Sequence, residues 1–361
     1  DHDEAKRWDP RLVTRIPYRT GTNYLDDRFA QVYIMAAHDD SAKPRRLTNI
    51  DADHNPPLWS PDGQYLYTAR TDDPERGEPW RWSNLYRLRV ADSAHDELTD
   101  SSFSSVNPLP SPDGRWLAYI RWPRERLSER NNWLAVIPAD GGEPRDLNLT
   151  FDRSVAEYRW LPDSSGLMVT VHDAGNIDLY RVTLADGHFE HILSSMMHVE
   201  GLDMGRDGSL AFTVSTPRNP SELWYLPPGG AAQAMTSVNQ KFLGRVIVQE
   251  PHELSWRSPA GVEIQGWYLL PVGYEEGRQY PLAFNIHGGP HVMWGPAMKS
   301  MWHEWQFYAA RGYVVFYANP RGSGGYSEAF QMALHGAWGD VAYDDLMSGV
   351  DTLISKGFVD A

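Results

Sequence analysis

The sequence contains no cysteine. That excludes disulfides, thiolate metal sites and a cysteine nucleophile, while leaving oxidising and reducing compartments both open. Long apolar runs are also missing. No stretch approaches the roughly 20 residues that span a bilayer, and the start Asp1-His2-Asp3-Glu4 lacks the basic and apolar regions of a signal peptide. A soluble, cytoplasmic protein is the expectation, with an N-terminus that does not begin at Met and is processed, cut or missing. Positive charge is scarce: 33 Lys and Arg stand against 48 Asp and Glu, for a net charge of -15. Affinity for phosphate backbones and anionic lipid comes largely from clustered cations, so neither nucleic acid nor membrane is an expected partner.

What is present is aromatic and apolar. The 361 residues are 41% hydrophobic and include 15 Trp, 18 Tyr and 11 Phe, a composition that excludes disordered and fibrous chains and suits repeated strands. The length exceeds what one core usually serves, so two domains are expected.

Self-similarity dominates the first two thirds. Trp59-Ser60-Pro61-Asp62-Gly63, Pro110-Ser111-Pro112-Asp113-Gly114, Trp160-Leu161-Pro162-Asp163 and a degraded Met204-Gly205-Arg206-Asp207-Gly208 recur in steps of 51, 50 and 44 residues. That is near the roughly 40 to 50 residues of a four-stranded propeller blade. In each turn Pro presets φ, Asp caps and Gly accepts positive φ, so a strand should follow. Strand-like runs do follow at 65–69, 116–120, 167–171 and 210–214, with second runs at 85–88, 133–136, 179–182 and 223–226. The units close on Leu47-Thr48, Leu98-Thr99, Leu147-Asn148 and Met235-Thr236. The first of these closing pairs has only Gln31-Val32-Tyr33-Ile34-Met35 before it, so blades are expected to be missing upstream. The competing architecture is an irregular β-sandwich with chance turns, which four matching offsets disfavour. Residues 54 to 236 are therefore predicted to form four consecutive four-stranded blades.

The repeat stops after Met235-Thr236, and a turn-rich stretch from Glu250 through Gly261 ends it, placing a boundary between 245 and 260. Downstream, residues 262–270 alternate as a strand, 281–286 form a short apolar run typical of a buried strand, and His287-Gly288-Gly289-Pro290 ends it. A helix is predicted over 297–311, stopped by Gly312, then a strand over 313–317 and a loop from Asn319 to Tyr326. A last helix starts near Asp340, with Ala342, Leu346, Val350, Leu353 and Ile354 on one face and Gly357 as its stop. Strands alternating with helices mean an α/β sheet.

The order HGGP, GYVVFYANPRGSGGY, WGDVAYDDL and Gly-Phe-Val-Asp resembles the acylaminoacyl-peptidase and dipeptidyl-peptidase branch of the prolyl oligopeptidase (S9) family. The resemblance covers nearly the whole chain. It implies an incomplete β-propeller of PD40/TolB-like blades over 1–250 and the N-terminal part of an α/β-hydrolase domain over 251–361. It further implies hydrolysis of short peptides by a serine nucleophile on a Gly-x-Ser-x-Gly turn beyond Ala361, so the chain reads as truncated at both ends and inactive by itself. In such hydrolases the loop after the strand corresponding to 281–286 offers a backbone N–H to the oxyanion of the tetrahedral intermediate, and the expected donor here is Gly289. No cofactor and no metal are expected, the partner is a short peptide substrate, and homo-oligomerisation is left open. The alternatives are a TolB-like binding module, which has no reason to carry HGGP within an α/β alternation, and a carboxylesterase or lipase, which shares the oxyanion loop but lacks the blades.

Other motifs read as structural. His287 is expected to be a structural ring rather than a base, and the 319–326 loop to shape the rim of a site, since phosphate-loop spacing is absent. Ser327 nearly matches Gly-x-Ser-x-Gly, but flexible Arg321-Gly322-Ser323-Gly324 precedes it where an elbow needs a buried strand. Asp340 is expected as an N-cap, with Asp344 and Asp345 in the first turns, favoured by the helix dipole. His303-Glu304 begins a zinc motif whose second His is Phe307. Trp302 and Trp305 read as core. Arg121, Arg124, Arg126 and Arg130 read as a solvated rim, with a peptide carboxylate as the rival partner.

Overall fold

The structure, a computed structural model, describes residues 18–20, 22–24, 28–39, 41–71, 82–125, 129–193 and 195–360. Four consecutive four-stranded antiparallel meanders follow the sequence repeat, the third and fourth joined into one eight-stranded sheet by a parallel bridge between Ile177 and His198. The first comprises Leu58–Trp59, Tyr65–Thr71, Ser83–Arg89 and His95–Glu97, and the second Phe103–Pro110, Trp116–Pro123, Trp133–Pro138 and Arg145–Asp146. The third comprises Val155–Trp160, Gly166–Asp173, Asn176–Thr183 and Phe189–Leu193, and the fourth His198–Met204, Leu210–Thr216, Asn219–Leu226 and Gln233–Ala234. By contact density the chain divides into two compact units, one of Asp1–Pro110, Gly114–Leu127 and Ile137–Pro144, the other of Ser111–Asp113, Ser128–Val136 and Arg145–Ala361.

The opening turns work as their residues dictate. In the first, Ser60 Oγ donates to Asp62 at 2.6 Å, and Gly63 at φ 70° donates its N–H to Ser60 O at 2.9 Å. The third unit has Ser164 where glycine would stand, and this serine adopts φ 59° to make the same turn to Leu161 O at 2.9 Å.

The closing pairs have one recurring geometry. The N–H groups of Leu47, Leu98, Leu147 and Met235 donate to the carbonyls of Val32, Leu85, Leu134 and Leu223 at 2.7 to 2.8 Å. Those same four partners return their own N–H to Thr48 Oγ1, Thr99 Oγ1, Asn148 Oδ1 and Thr236 Oγ1 at 2.8 to 3.0 Å. The short outer strand ends just before each pair, and a side-chain oxygen takes over where the backbone ladder stops. Asn148 can replace Thr because its Oδ1 reaches the same N–H.

Where the repeat ends, Glu222 collects Thr236 Oγ1 at 2.5 Å, the N–H groups of Val238 and Asn239 at 3.0 and 3.2 Å, and Asn219 Nδ2 at 3.2 Å. Burial alone would raise its carboxyl pKa, but these four donors pull it down to about 2.

The last third builds a sheet from β1 (His252–Arg257), β2 (Glu263–Leu269), β3 (Leu282–Asn285) and β4 (Val314–Asn319), in the order β1-β2-β4-β3. The β1–β2 and β2–β4 pairs are antiparallel and β3–β4 is parallel. Three helices join it: α1 (Lys299–Ala310), α2 (Glu328–Met332) and α3 (Asp340–Ser355). Alternation along the strands sends Trp267, Leu269, Val315 and Tyr317 to one face against Trp305 and Ala309 of α1. Ile264, Phe316 and Ala318 face the other way, toward Leu346 and Leu353 of α3. No helix among the described residues is long and apolar enough to cross a membrane.

Four expectations change in detail. The 250–261 stretch, read as turns, carries β1, which pairs along its whole length with β2. The 281–286 run is half-buried rather than buried, because β3 pairs with β4 along one edge and, on the other side, the chain makes only the bridge from Tyr280 to Val359 among the described residues. Asp340 is the first helical residue, and Gly339 at φ 92° holds the N-cap position. The buried face of α3 is Asp345, Leu346, Gly349 and Leu353, while Ala342, Val350 and Ile354 are half-buried. It turns toward Gly349 because Trp256 fills that spot so closely that a Cβ would lie 2.4 Å from the indole.

Two measurements check these closures. Thr48→Val keeps the side-chain shape and strands the buried Val32 N–H, so denaturant unfolding should show a loss of about 1–3 kcal/mol, with Thr48→Ser near wild type. Glu222 has a folded pKa below its unfolded value, so its contribution is present above about pH 4.5 and lost as pH falls toward about 2. Melting temperatures of wild type and Glu222→Gln should differ at neutral pH and converge across that window.

Candidate active site

The segment after β3 rises out of the sheet as Ile286-His287-Gly288-Gly289-Pro290, and Gly288 and Gly289 are exposed. Gly289 sits at φ 115°, and a Cβ there would lie 2.4 Å from Val292 Cγ2, so both backbone conformation and space demand glycine. Gly288 is different, since a Cβ would meet open space. Neither N–H donates to a backbone acceptor among the described residues.

Both ends of this turn are tied to the loop that follows β4. His287 Nε2 lies 3.1 Å from Ser323 Oγ, and His291 Nδ1 lies 2.6 Å from Gly322 O. Asn319, fully buried at the end of β4, accepts the Trp294 N–H at 2.9 Å and donates Nδ2 to Trp294 O at 2.7 Å and to Tyr326 Oη at 3.1 Å. Tyr326 in turn donates to Gln265 Oε1 on β2 at 2.7 Å. Gly324 lies flush against the turn, since a Cβ there would be 2.7 Å from His291 O.

The Ser323–His287 contact resembles a nucleophile and its base, but it is enclosed in the loop. Ser323 Oγ lies 2.7 Å from Pro320 O as well as 3.1 Å from His287 Nε2. Ser323 is also only 1% exposed. Burial lowers the His287 pKa, opposed by hydrogen bonding to Gly288 O and Asn319.

The loop is fixed from below by an ion pair that the sequence did not reveal. Asp345 on α3, fully buried, takes Arg321 Nε at 2.9 Å, Arg321 Nη2 at 2.7 Å and the Arg321 backbone N–H at 2.9 Å. Arg321 and Asp345 are 24 residues apart, so no local spacing links them; only the folding of α3 under the loop does. Asp345 therefore serves a partner rather than the helix dipole.

The remaining motifs fall into structural places. Ser327 is the N-cap of α2, its Oγ accepting the Phe330 N–H at 3.2 Å. His303 and Glu304 are exposed on α1, and Trp302 and Trp305 are buried. Arg121 corrects the expectation of a solvated rim: it is 8% exposed and lies over the Phe103 ring at 4.2 Å. Arg124 bonds Phe103 O and Asn84 Oδ1, each at 3.1 Å. Arg130 pairs with Glu328 at 2.8 Å, and Arg126 lies outside the described residues.

A β1-β2-β4-β3 sheet with helices on both faces, and a glycine turn at the C-terminal end of β3, defines the start of an α/β-hydrolase. The prolyl oligopeptidase family model matches residues 299–361. The chain is 30% identical to the uncharacterized peptidase YuxL of Bacillus subtilis, over 98% of this chain and 67% of that protein. Dipeptidyl-peptidase 5 of Porphyromonas gingivalis is 25% identical over 84% of this chain and 44% of its own length. The acylaminoacyl peptidase of Pyrococcus horikoshii superposes with a TM-score of 0.82 at 21% identity, over 98% of this chain and 54% of that one. The chain belongs to the prolyl oligopeptidase family and spans about half the length of its solved relative.

Asp345→Ala should leave the Arg321 guanidinium unpaired and cost about 3–5 kcal/mol in denaturant unfolding. The double variant Arg321→Met, Asp345→Leu should recover much of that loss, because it removes both charges together.

Proposed function

We propose that this chain is part of a serine peptidase that hydrolyses short peptides by acyl transfer, with the Gly289 N–H supplying one donor of the oxyanion hole. The observation that carries the reading is the exposed glycine turn at the end of β3, its N–H groups uncommitted to backbone acceptors among the described residues and both its ends braced. Donors held rigidly at the place where negative charge develops lower a barrier without reorganising during the reaction. Family membership, and the peptidase names of its relatives, give the substrate class.

In this reading the four meanders are blades of a β-propeller, residues 1–250, that limits access to short peptides, and residues 251–361 open the hydrolase domain. The nucleophile lies on a further segment past Ala361. Ser323 is buried against Pro320 O and Ser327 caps the α2 N-terminus, so neither presents a free hydroxyl.

In the full-length protein Gly289→Ala should lower kcat by about a hundredfold, while Gly288→Ala, which meets open space and keeps its N–H, should cost far less. Equal, small effects would remove Gly289 from the oxyanion hole. A fluorophosphonate probe should label the full-length protein and not residues 1–361 alone; stoichiometric labelling of a serine within this chain would overturn the placement of the nucleophile.

A further inference from the structure

The third meander reaches into the site by the hairpin between Gly166–Asp173 and Asn176–Thr183. Its two turn residues, Ala174 at φ 46° and Gly175 at φ 81°, have the positive φ values of a tight two-residue hairpin turn. Their N–H groups point outward. Ala174 donates to Gly325 O at 2.8 Å, and Gly175 donates to the thioether sulfur of Met293 at 3.2 Å. Backbone meets backbone on the other side: a Cβ on Gly295 would lie 1.5 Å from Gly175 O, and a Cβ on Gly175 would lie 2.3 Å from the Trp267 ring.

Met293 is the joint. It is 5% exposed, four residues beyond Gly289, and its sulfur fills the space over Gly325, where a Cβ would come within 2.1 Å of it. One sulfur therefore touches the hairpin tip and the loop after β4 while belonging to the chain that leaves the glycine turn. The Gly289 end of that chain is not otherwise fixed by secondary structure. It is set by His291 on Gly322, by Met293 under Gly175 and by Trp294 on Asn319.

We propose that Gly175 and Met293 are positioning residues for the Gly289 N–H, so that the β-repeat hairpin takes part in the chemical step by aiming the oxyanion donor. This rests on the assignment of Gly289 above. The hairpin does not touch substrate. It acts by holding the 291–295 segment against the 322–325 loop, and a small slip of that segment tilts the Gly289 N–H away from the carbonyl oxygen it must meet.

The test uses the full-length protein and the variant Met293→Leu, which nearly keeps volume and removes the acceptor of the Gly175 N–H. Expected is a fall in kcat of roughly ten- to hundredfold with KM within about twofold, as for a misplaced catalytic group. The affinity of a peptidyl boronic acid, whose boronate carries an oxyanion, should fall in parallel, while inhibition by a product peptide stays unchanged. Gly175→Ala should act in the same direction, and Met293→Leu should add little to Gly289→Ala because both act on one hydrogen bond. If Gly289→Ala lowers kcat but Met293→Leu leaves kcat and boronate affinity at wild-type values, even with a lower melting temperature, the positioning role is wrong. If Gly289→Ala itself leaves kcat unchanged, the oxyanion assignment is what fails. Gly175→Ala puts a Cβ against Trp267 and could fail to fold; Met293→Leu decides the matter in that case.

Discussion

The close approach of Gly175 to Gly295 is the contact around which the site is arranged. The Gly175 carbonyl oxygen lies where a side chain at residue 295 would begin, so residue 295 must be glycine, and Gly175 must be glycine because its φ is positive and a Cβ would strike the Trp267 ring. Because packed interiors transmit displacement rather than absorb it, fixing these two segments also fixes Met293, Gly325 and the turn that leads back to Gly289. Trp267, at 2% exposure beneath Gly175, makes this a hard stop from the sheet side as well.

The loop after β4 is the second half of the arrangement. It carries no regular structure from Pro320 to Tyr326, yet it is largely buried, and a buried loop needs partners for its polar groups. Arg321 and Asp345 supply a paired charge below it, Asn319 pairs with the backbone N–H and carbonyl of Trp294, and Ser323 lies within hydrogen-bond distance of Pro320 O. Each bond that satisfies the loop also orients the glycine turn beside it. Stability and positioning are here the same set of interactions.

The Ser323–His287 pair shows why proximity is not chemistry. The two atoms are 3.1 Å apart, within reach of a catalytic dyad. Ser323 is only 1% exposed, however, and its hydroxyl also lies 2.7 Å from Pro320 O, so the pair is enclosed within the loop. The contact links the glycine turn to the loop after β4. The same accounting disposes of Ser327, whose oxygen faces the N–H groups at the start of α2.

The sequence alone determined the features that depend on local chemistry. Pro-Asp-Gly turns, the strands behind them and the Leu-Thr closures were legible because each is set by residues close together in the chain, and the glycine turn at 288–289 was legible because its conformation is too. β2, β3, β4, α1 and α3 followed from periodicity for the same reason, to within a few residues at their ends, whereas β1 lies in a stretch read as turns and α2, at five residues, is too short to show a period. Long-range contacts were not legible. Nothing in the pattern pairs Arg321 with Asp345, directs Arg121 onto Phe103 or places Met293 between Gly175 and Gly325. Those contacts join residues that only the stacking of sheet, helix and hairpin brings together. Tertiary structure decided them, because it alone sets which buried charge, sulfur or N–H finds a partner.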